Sequence, residues 1–191
     1  MVSLSDPRCR ETSSMSSNST PVQRLRVPPL PEPFHVVLVE PEIPPNTGNV
    51  ARLCAATGCP LHLVGKLGFS IDEHAVRRAG LDYWPLVKVE QHPDLEHAEA
   101  TISAASAGAA SHSWLFTGKA KRSFLDIRYR PGDALVFGRE SVGLSESLLA
   151  EREPWVVGIP MLGGVRSLNL ANSVAIAVYE ALRQQGALRV R

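Results

Sequence analysis

Short runs of β-branched and other apolar residues recur along this chain, mostly separated by stretches of helical composition, and that alternation limits what it can fold into. The first run, "FHVVLVEP" from Phe34, ends in proline; "LHLVG", "LVKVE", "SHSWLFTG", "DALVFG" and "WVVGIP" follow. The helical stretches are "NTGNVARLCAATG" with Gly58 as its stop, "DEHAVRRAG" ending at Gly80, "PDLEHAEATISAASAG", "SESLLAERE" and a long last one. In that last one Leu170, Val174, Val178 and Leu182 recur at four-residue spacing ahead of Gly186. Wholly apolar strands joined through helices predict an α/β domain, a mainly parallel sheet with helices on both faces. Connection rules alone leave such a sheet doubly wound and unknotted.

Residues 1–33 have a different texture, rich in Ser, Thr and Pro with no apolar period, and are expected to form a disordered N-terminal tail. The folded domain is expected over residues 34–191. The tail has no signal-peptide core, and Asp6 and Glu11 argue against a transit peptide. With 44% hydrophobic and 20% charged residues the chain reads as soluble, and no apolar run approaches the roughly 18 residues of a membrane span. Cys9, Cys54 and Cys59 offer neither zinc-site spacing nor an even count for disulfides, which predicts a reduced, cytoplasmic protein with Cys54 and Cys59 as small core residues. The six histidines are scattered, so no metal is expected. Net charge is only +1, yet the basic residues are clumped: Arg77 with Arg78, Lys119 with Lys121 and Arg122, Arg128 with Arg130, and the single Arg139 and Arg166.

A parallel sheet binds ligands beyond the C-terminal ends of its strands. Four loops qualify: "EPEIPPNTGNVAR", "TGKAKRS", "FGRESVGL" and "IPMLGGVRSLNL". None is a phosphate loop or a dinucleotide turn, and there is no serine elbow or carboxylate pair, so ATP, NAD and the common nucleophile chemistries are unsupported. The last loop crowds Arg166, Ser167, Asn169 and Asn172 around the entrance of the last helix. Ser167 or Asn169 could simply cap that helix, and Glu140 could satisfy N–H groups at a helix start. Glycines 138, 163 and 164 suit a backbone that a ligand approaches closely.

"NTGNVAR", "FGRESVGL" and "IPMLGGVRSLNLANSVAIAVYE" together resemble, in order, the three signature motifs of the SPOUT RNA methyltransferases, and the resemblance covers roughly residues 34–186. "VEPEIPPNTGNVARLCAATG", "RRAGLDYW" and "YEALRQQG" are similar to its small single-domain members that methylate the ribose 2′-hydroxyl of the wobble nucleotide in the tRNA anticodon loop. The resemblance implies a C-terminal trefoil knot, S-adenosylmethionine as co-substrate, no metal, tRNA as partner and a homodimer. It places Phe116, Gly138, Ile159, Ser167 and Leu168 at the cofactor, and Arg52, Asn46, Glu140 and Asn169 at the reaction. Arg139, Val142 and "TGKAK" depart from the usual pattern and leave the identity of the RNA open. Another tRNA or rRNA ribose, or a non-catalytic RNA-binding role, remain the alternatives.

Arg52 is a poor general base, because a guanidinium holds its proton at nearly every protein site. Its expected role is to grip phosphate and stabilise charge developing on the 2′-oxygen, with Asn46 and Glu140 orienting it or the ribose.

Overall fold

The computed structural model describes residues 25–69, 84–106 and 111–190. The strands are β1 (His35–Val39), β2 (Leu61–Val64), β3 (Val89–His92), β4 (Ser113–Phe116), β5 (Ala134–Phe137) and β6 (Val156–Val157). The helices are α1 (Pro44–Thr57), α2 (Leu95–Ala105), α3 (Glu146–Glu151) and α4 (Leu170–Gln184). The strands form one six-stranded sheet in the order β3-β2-β1-β5-β4-β6. Every pair is parallel. The mainly parallel α/β sheet expected from the apolar runs is thus the observed architecture.

Local chemistry accounts for the element ends. α1 opens on Pro44 and Pro45, whose missing N–H groups would have no partner in a first turn, and stops at Gly58, left-handed at φ 75°. Asp94, Ser145 and Asn169 each cap a helix by accepting a backbone N–H, at the starts of α2, α3 and α4. The third strand begins three residues later than "LVKVE" suggests, because Pro85 sits in a short 3-10 turn, Trp84–Leu86, and pairing with β2 starts only at Leu61↔Val89. "DEHAVRRAG", with Arg77 and Arg78, lies outside the described residues, as do residues 1–24 of the expected tail. Within residues 25–33, Leu30 packs against the core.

Side chains alternate between two cores. On one face Val36, Leu38, Leu61 and Leu63 meet Val50, Ala51 and Cys54 of α1 and Val174, Ala177, Val178 and Ala181 of α4. On the other, Val37, Val64, Leu115 and Val136 meet Ala98 and Ile102 of α2, with Leu148 and Leu149 of α3 at the margin. Cys54 and Cys59 are buried thiols, and burial pushes both up from their ordinary pKa. Asp133, fully buried, accepts the His112 and Arg130 amides and the Trp114 indole N–H, satisfying a carboxylate that would otherwise be costly to bury.

Two features bring chain segments together at the C-terminal ends of the strands. Beyond the edge strand β6, Gly158 pairs with residues 122–124, its N–H donating to Arg122 O and its carbonyl accepting from Phe124 N. The chain then returns from that edge to the middle of the domain, where α4 packs on α1 and β5. The turn after β5 is equally tight. A Cβ built on Gly138 would lie 2.2 Å from the Gly143 carbonyl carbon and 2.3 Å from Leu144 N, so backbone meets backbone with no room between them. Neither can yield as a side chain would. Gly138→Ala is therefore expected to cost about 3 kcal/mol, at the upper end for overpacking, and to lower Tm by roughly 6–12 °C. A melting curve matching that of the parent would refute this close approach.

Candidate active site

Three segments far apart in the chain meet through one amide. Asn46, buried in the first turn of α1, donates from Nδ2 to Glu140 Oε1 at 2.9 Å and accepts on Oδ1 from Asn169 Nδ2 at 3.0 Å. These partners lie 94 and 123 residues away. Glu140 also accepts the Glu42 amide on Oε2 at 2.9 Å and the Ile43 amide on Oε1 at 3.2 Å. It therefore does satisfy N–H groups at a helix entrance, but at that of α1 and not at a helix of its own segment. Asn169 has two jobs at once. Its Oδ1 caps α4 through the Asn172 amide at 3.3 Å while its Nδ2 reaches Asn46.

A second tie runs beside the first and was not anticipated from the sequence. Glu42 accepts both the Ser141 amide and the Ser141 hydroxyl at 3.0 Å, and these bonds hold its carboxyl below the usual range. Arg139 pairs with Glu40 at 2.7 Å, and Glu40 sits at φ 48°, in the left-handed region, as no other non-glycine residue does among those described. The signal was present as the acids of "VEPE", but partners 99 residues away leave no local pattern to read.

Arg52 lies on the exposed side of α1, six residues beyond Asn46, so the helix carries it about 9 Å along its axis from the buried amide chain. The other basic residues divide. Lys119 pairs with Glu146 at 2.8 Å, the Arg122 guanidinium lies 5.7 Å from the Trp114 ring centroid, and Arg166 is exposed.

The positions expected at the cofactor share one edge. Phe116 ends β4, Gly138 follows β5 and Ile159 lies just beyond β6, and these three strands are neighbours in the sheet. Ser167 and Leu168 close the group from the start of α4, where the Arg166 carbonyl lies 3.9 Å from the Cβ position of Gly118. Their side chains differ in character. Phe116 is a core ring stacked on Phe137 with centroids 4.6 Å apart, so only its backbone can face a ligand. Gly138 is crowded by the protein's own backbone, whereas Gly163 and Gly164 face open space. Leu162 and Val165 project from the same loop as exposed apolar side chains. Backbone groups, an open glycine turn and uncovered apolar side chains share this rim, a lining that fits a nucleoside whose side chain carries a sulfonium.

Residues 33–179 match the model of the SpoU rRNA methylase family. A tRNA (cytidine(34)-2′-O)-methyltransferase of Burkholderia pseudomallei (strain 1106a) is 48% identical over 154 residues, covering 80% of this chain and 96% of that protein. A structure solved to explain 2-OH methylation of C/U34 on tRNA is 45% identical with a TM-score of 0.72, covering 82% of this chain and 99% of the other. The SpoU methyltransferase AviRb of Streptomyces viridochromogenes, solved with AdoMet, is 26% identical at a TM-score of 0.69, covering 84% of this chain and 61% of its own. With most of its length matched both in sequence and in fold, the chain belongs to the SpoU methylase family.

Proposed function

We propose that this protein is a cytoplasmic, homodimeric methyltransferase that places a methyl group on the ribose 2′-oxygen of the wobble nucleotide, cytidine or a 5-substituted uridine, in tRNA. The observation that carries the reading is the Glu140–Asn46–Asn169 chain, which joins the three loops at the strand ends into one site. The wobble-specific relative is also far more similar, at 48% identity, than the AdoMet-bound AviRb at 26%. Among the described residues no helix is long and apolar enough to cross a membrane. The direct test is to incubate the protein with methyl-labelled S-adenosylmethionine and unmodified bulk tRNA, digest, and identify the nucleoside. Label in a 2′-O-methylated nucleoside from position 34 is expected; label only when ribosomal RNA is supplied would overturn the tRNA assignment.

S-adenosylmethionine, when bound, supplies an electrophilic methyl group. Phe116, Gly138, Ile159 and Leu168 would hold it through backbone groups, and the Ser167 hydroxyl would bond to it. A trefoil knot in this region is supported by the return of the chain from β6 across Gly118 and by Gln184, which bonds to the Ile127 carbonyl and the Tyr129 amide of the loop before β5.

Arg52 acts as a charge, gripping a phosphate and stabilising the negative charge that develops on the 2′-oxygen. Asn46, Glu140 and Asn169 are positioning residues in this scheme. Their amide and carboxylate groups are occupied by one another and by α1's entrance, so their work is to fix α1, and with it Arg52, against the cofactor loops. Arg52→Ala should therefore fold and bind S-adenosylmethionine normally while turnover falls by about 100-fold or more, with Arg52→Lys nearly as poor. Ser167→Ala should weaken cofactor binding instead. Calorimetry with S-adenosylmethionine and single-turnover methyl transfer separate the two effects, and an active Arg52→Ala protein would rule out this role.

The homodimer rests on α4. Val178 and Leu182, of the four-residue apolar spacing, are buried within the subunit, whereas Tyr179 and Ile176 are exposed at 49% and 40%. With Leu162 and Val165 they leave apolar surface for a second copy. Light scattering should give twice the chain mass, and Tyr179→Glu should shift it toward one; a parent protein active as a monomer would sink the dimer.

A further inference from the structure

Three histidines that are scattered in sequence form a continuous ladder across the sheet. Parallel register sets Val37 beside His62 and His62 beside Glu90, so alternate residues His35, His62, Glu90 and His92 fall on the α2 face, away from α1. His35 Nδ1 lies 2.9 Å from His62 Nε2, and His62 Nδ1 lies 2.9 Å from His92 Nε2. Glu90 pairs through Oε1 with Lys88 at 2.7 Å and turns Oε2 toward His92 Nε2 at 4.0 Å. One nitrogen from each of His62 and His92 and a carboxylate oxygen of Glu90 all fall within 4.8 Å of one another. Nothing in methyl transfer uses them, since they lie on β2 and β3 while the candidate active site lies beyond β1, β5, β4 and β6.

We infer that His62 Nδ1, His92 Nε2 and the Glu90 carboxylate form a binding site for a divalent transition metal of the zinc class. Two imidazoles and a carboxylate are a borderline-soft donor set that suits zinc, with water as a fourth ligand. Zn–N bonds of about 2.0–2.1 Å in tetrahedral geometry hold two nitrogens roughly 3.3 Å apart, so the His62–His92 pair opens by only about 0.4 Å and Glu90 closes by somewhat more. Metal binding replaces the hydrogen bond that now links the two rings. The proton between His62 Nδ1 and His92 Nε2 shifts to the far nitrogen of the ring that holds it, so that each ring ends neutral with its one proton away from the metal and none is released. For His62 that proton sits on Nε2 and is donated to His35 Nδ1, the outer contact that orients metal-binding imidazoles. The metal would staple the edge strand β3 to β2.

The test uses the full chain, free of any affinity tag and stripped with chelator, titrated with Zn²⁺ against a chromogenic competitor and with Co²⁺ by visible absorption. One Zn²⁺ per chain, a tetrahedral Co²⁺ spectrum and a higher Tm with Zn²⁺ are expected. His92→Gln and Glu90→Gln, both on the partly exposed edge strand, should match the parent in chelator by circular dichroism, lose the Zn²⁺ gain in Tm, and bind at least about 10-fold more weakly. Unchanged affinity in both variants, or a parent that takes up no Zn²⁺, would overturn the site. Methyl transfer is measured alongside and should persist in both variants, which keeps this result separate from the assignment of the active site.

Discussion

Everything at the candidate active site depends on a buried side-chain amide having two partners. Asn46 has one donor group aimed at Glu140 and one acceptor aimed at Asn169, and it is itself buried. A buried amide left half-satisfied costs about 1–3 kcal/mol, so the three loops are held in one arrangement by the penalty for any other. Glu140 extends the same logic, because its two oxygens also collect the Glu42 and Ile43 amides ahead of α1. The helix that presents Arg52 is thereby tied to the loop after β5 and to the cap of α4. A rigid anchor and an exposed cation is the division of labour that charge stabilisation requires, since a preorganised charge does no reorganising when the reaction occurs.

Close backbone approach is the second constraint, and it acts where the loops have to pass. Gly138 is required by Gly143 and Leu144, and a Cβ on Gly158 would meet the Thr117 carbonyl at 2.8 Å. Gly138 follows β5 and Gly158 follows β6, the strands on either side of β4, and at each of them chain segments pack backbone against backbone. Gly163 and Gly164 obey a different rule, for nothing of the protein lies near them. Two glycine types therefore share one rim: those the fold needs, and those that leave space for something else.

The architecture was largely legible because apolar, β-branched runs report burial on both faces of a strand, and burial is a local property of composition. Gly58 was equally readable as the stop of α1, because glycine carries its own backbone freedom, whereas the helix starts two residues before "NTGNVARLCAATG", on Pro44 and Pro45. Legibility failed where meaning depends on distance. Glu140 admitted two readings until the N–H groups it accepts were known, and they belong to residues nearly a hundred positions earlier. Phe116, placed at the cofactor by the resemblance, stacks its ring in the core on Phe137, a consequence of the β4–β5 register that the motif alone does not reveal. Val178 and Tyr179 are adjacent on the last helix, and the packing of α4 against α1 separates the buried one from the exposed one.

The histidines show how sheet parity can hide a constellation. Read along the chain, His35, His62 and His92 are separated by 27 and 30 residues and match no ligand spacing. Parallel pairing removes most of that separation: His62 lies opposite Val37 and Glu90, so His35 and His92 stand one like-parity step away along the neighbouring strands, close enough for one imidazole to reach the next. "LHLVG" also conceals the pattern, since an apolar run with one histidine resembles an imperfect buried strand. A buried, uncharged imidazole still needs a partner for each nitrogen, and along β1, β2 and β3 the nearest partner available to each is another histidine. The ladder therefore follows from satisfying buried polar groups, and the convergence of His62, His92 and Glu90 follows from the ladder ending at an edge strand, where a carboxylate can reach it from the solvent side.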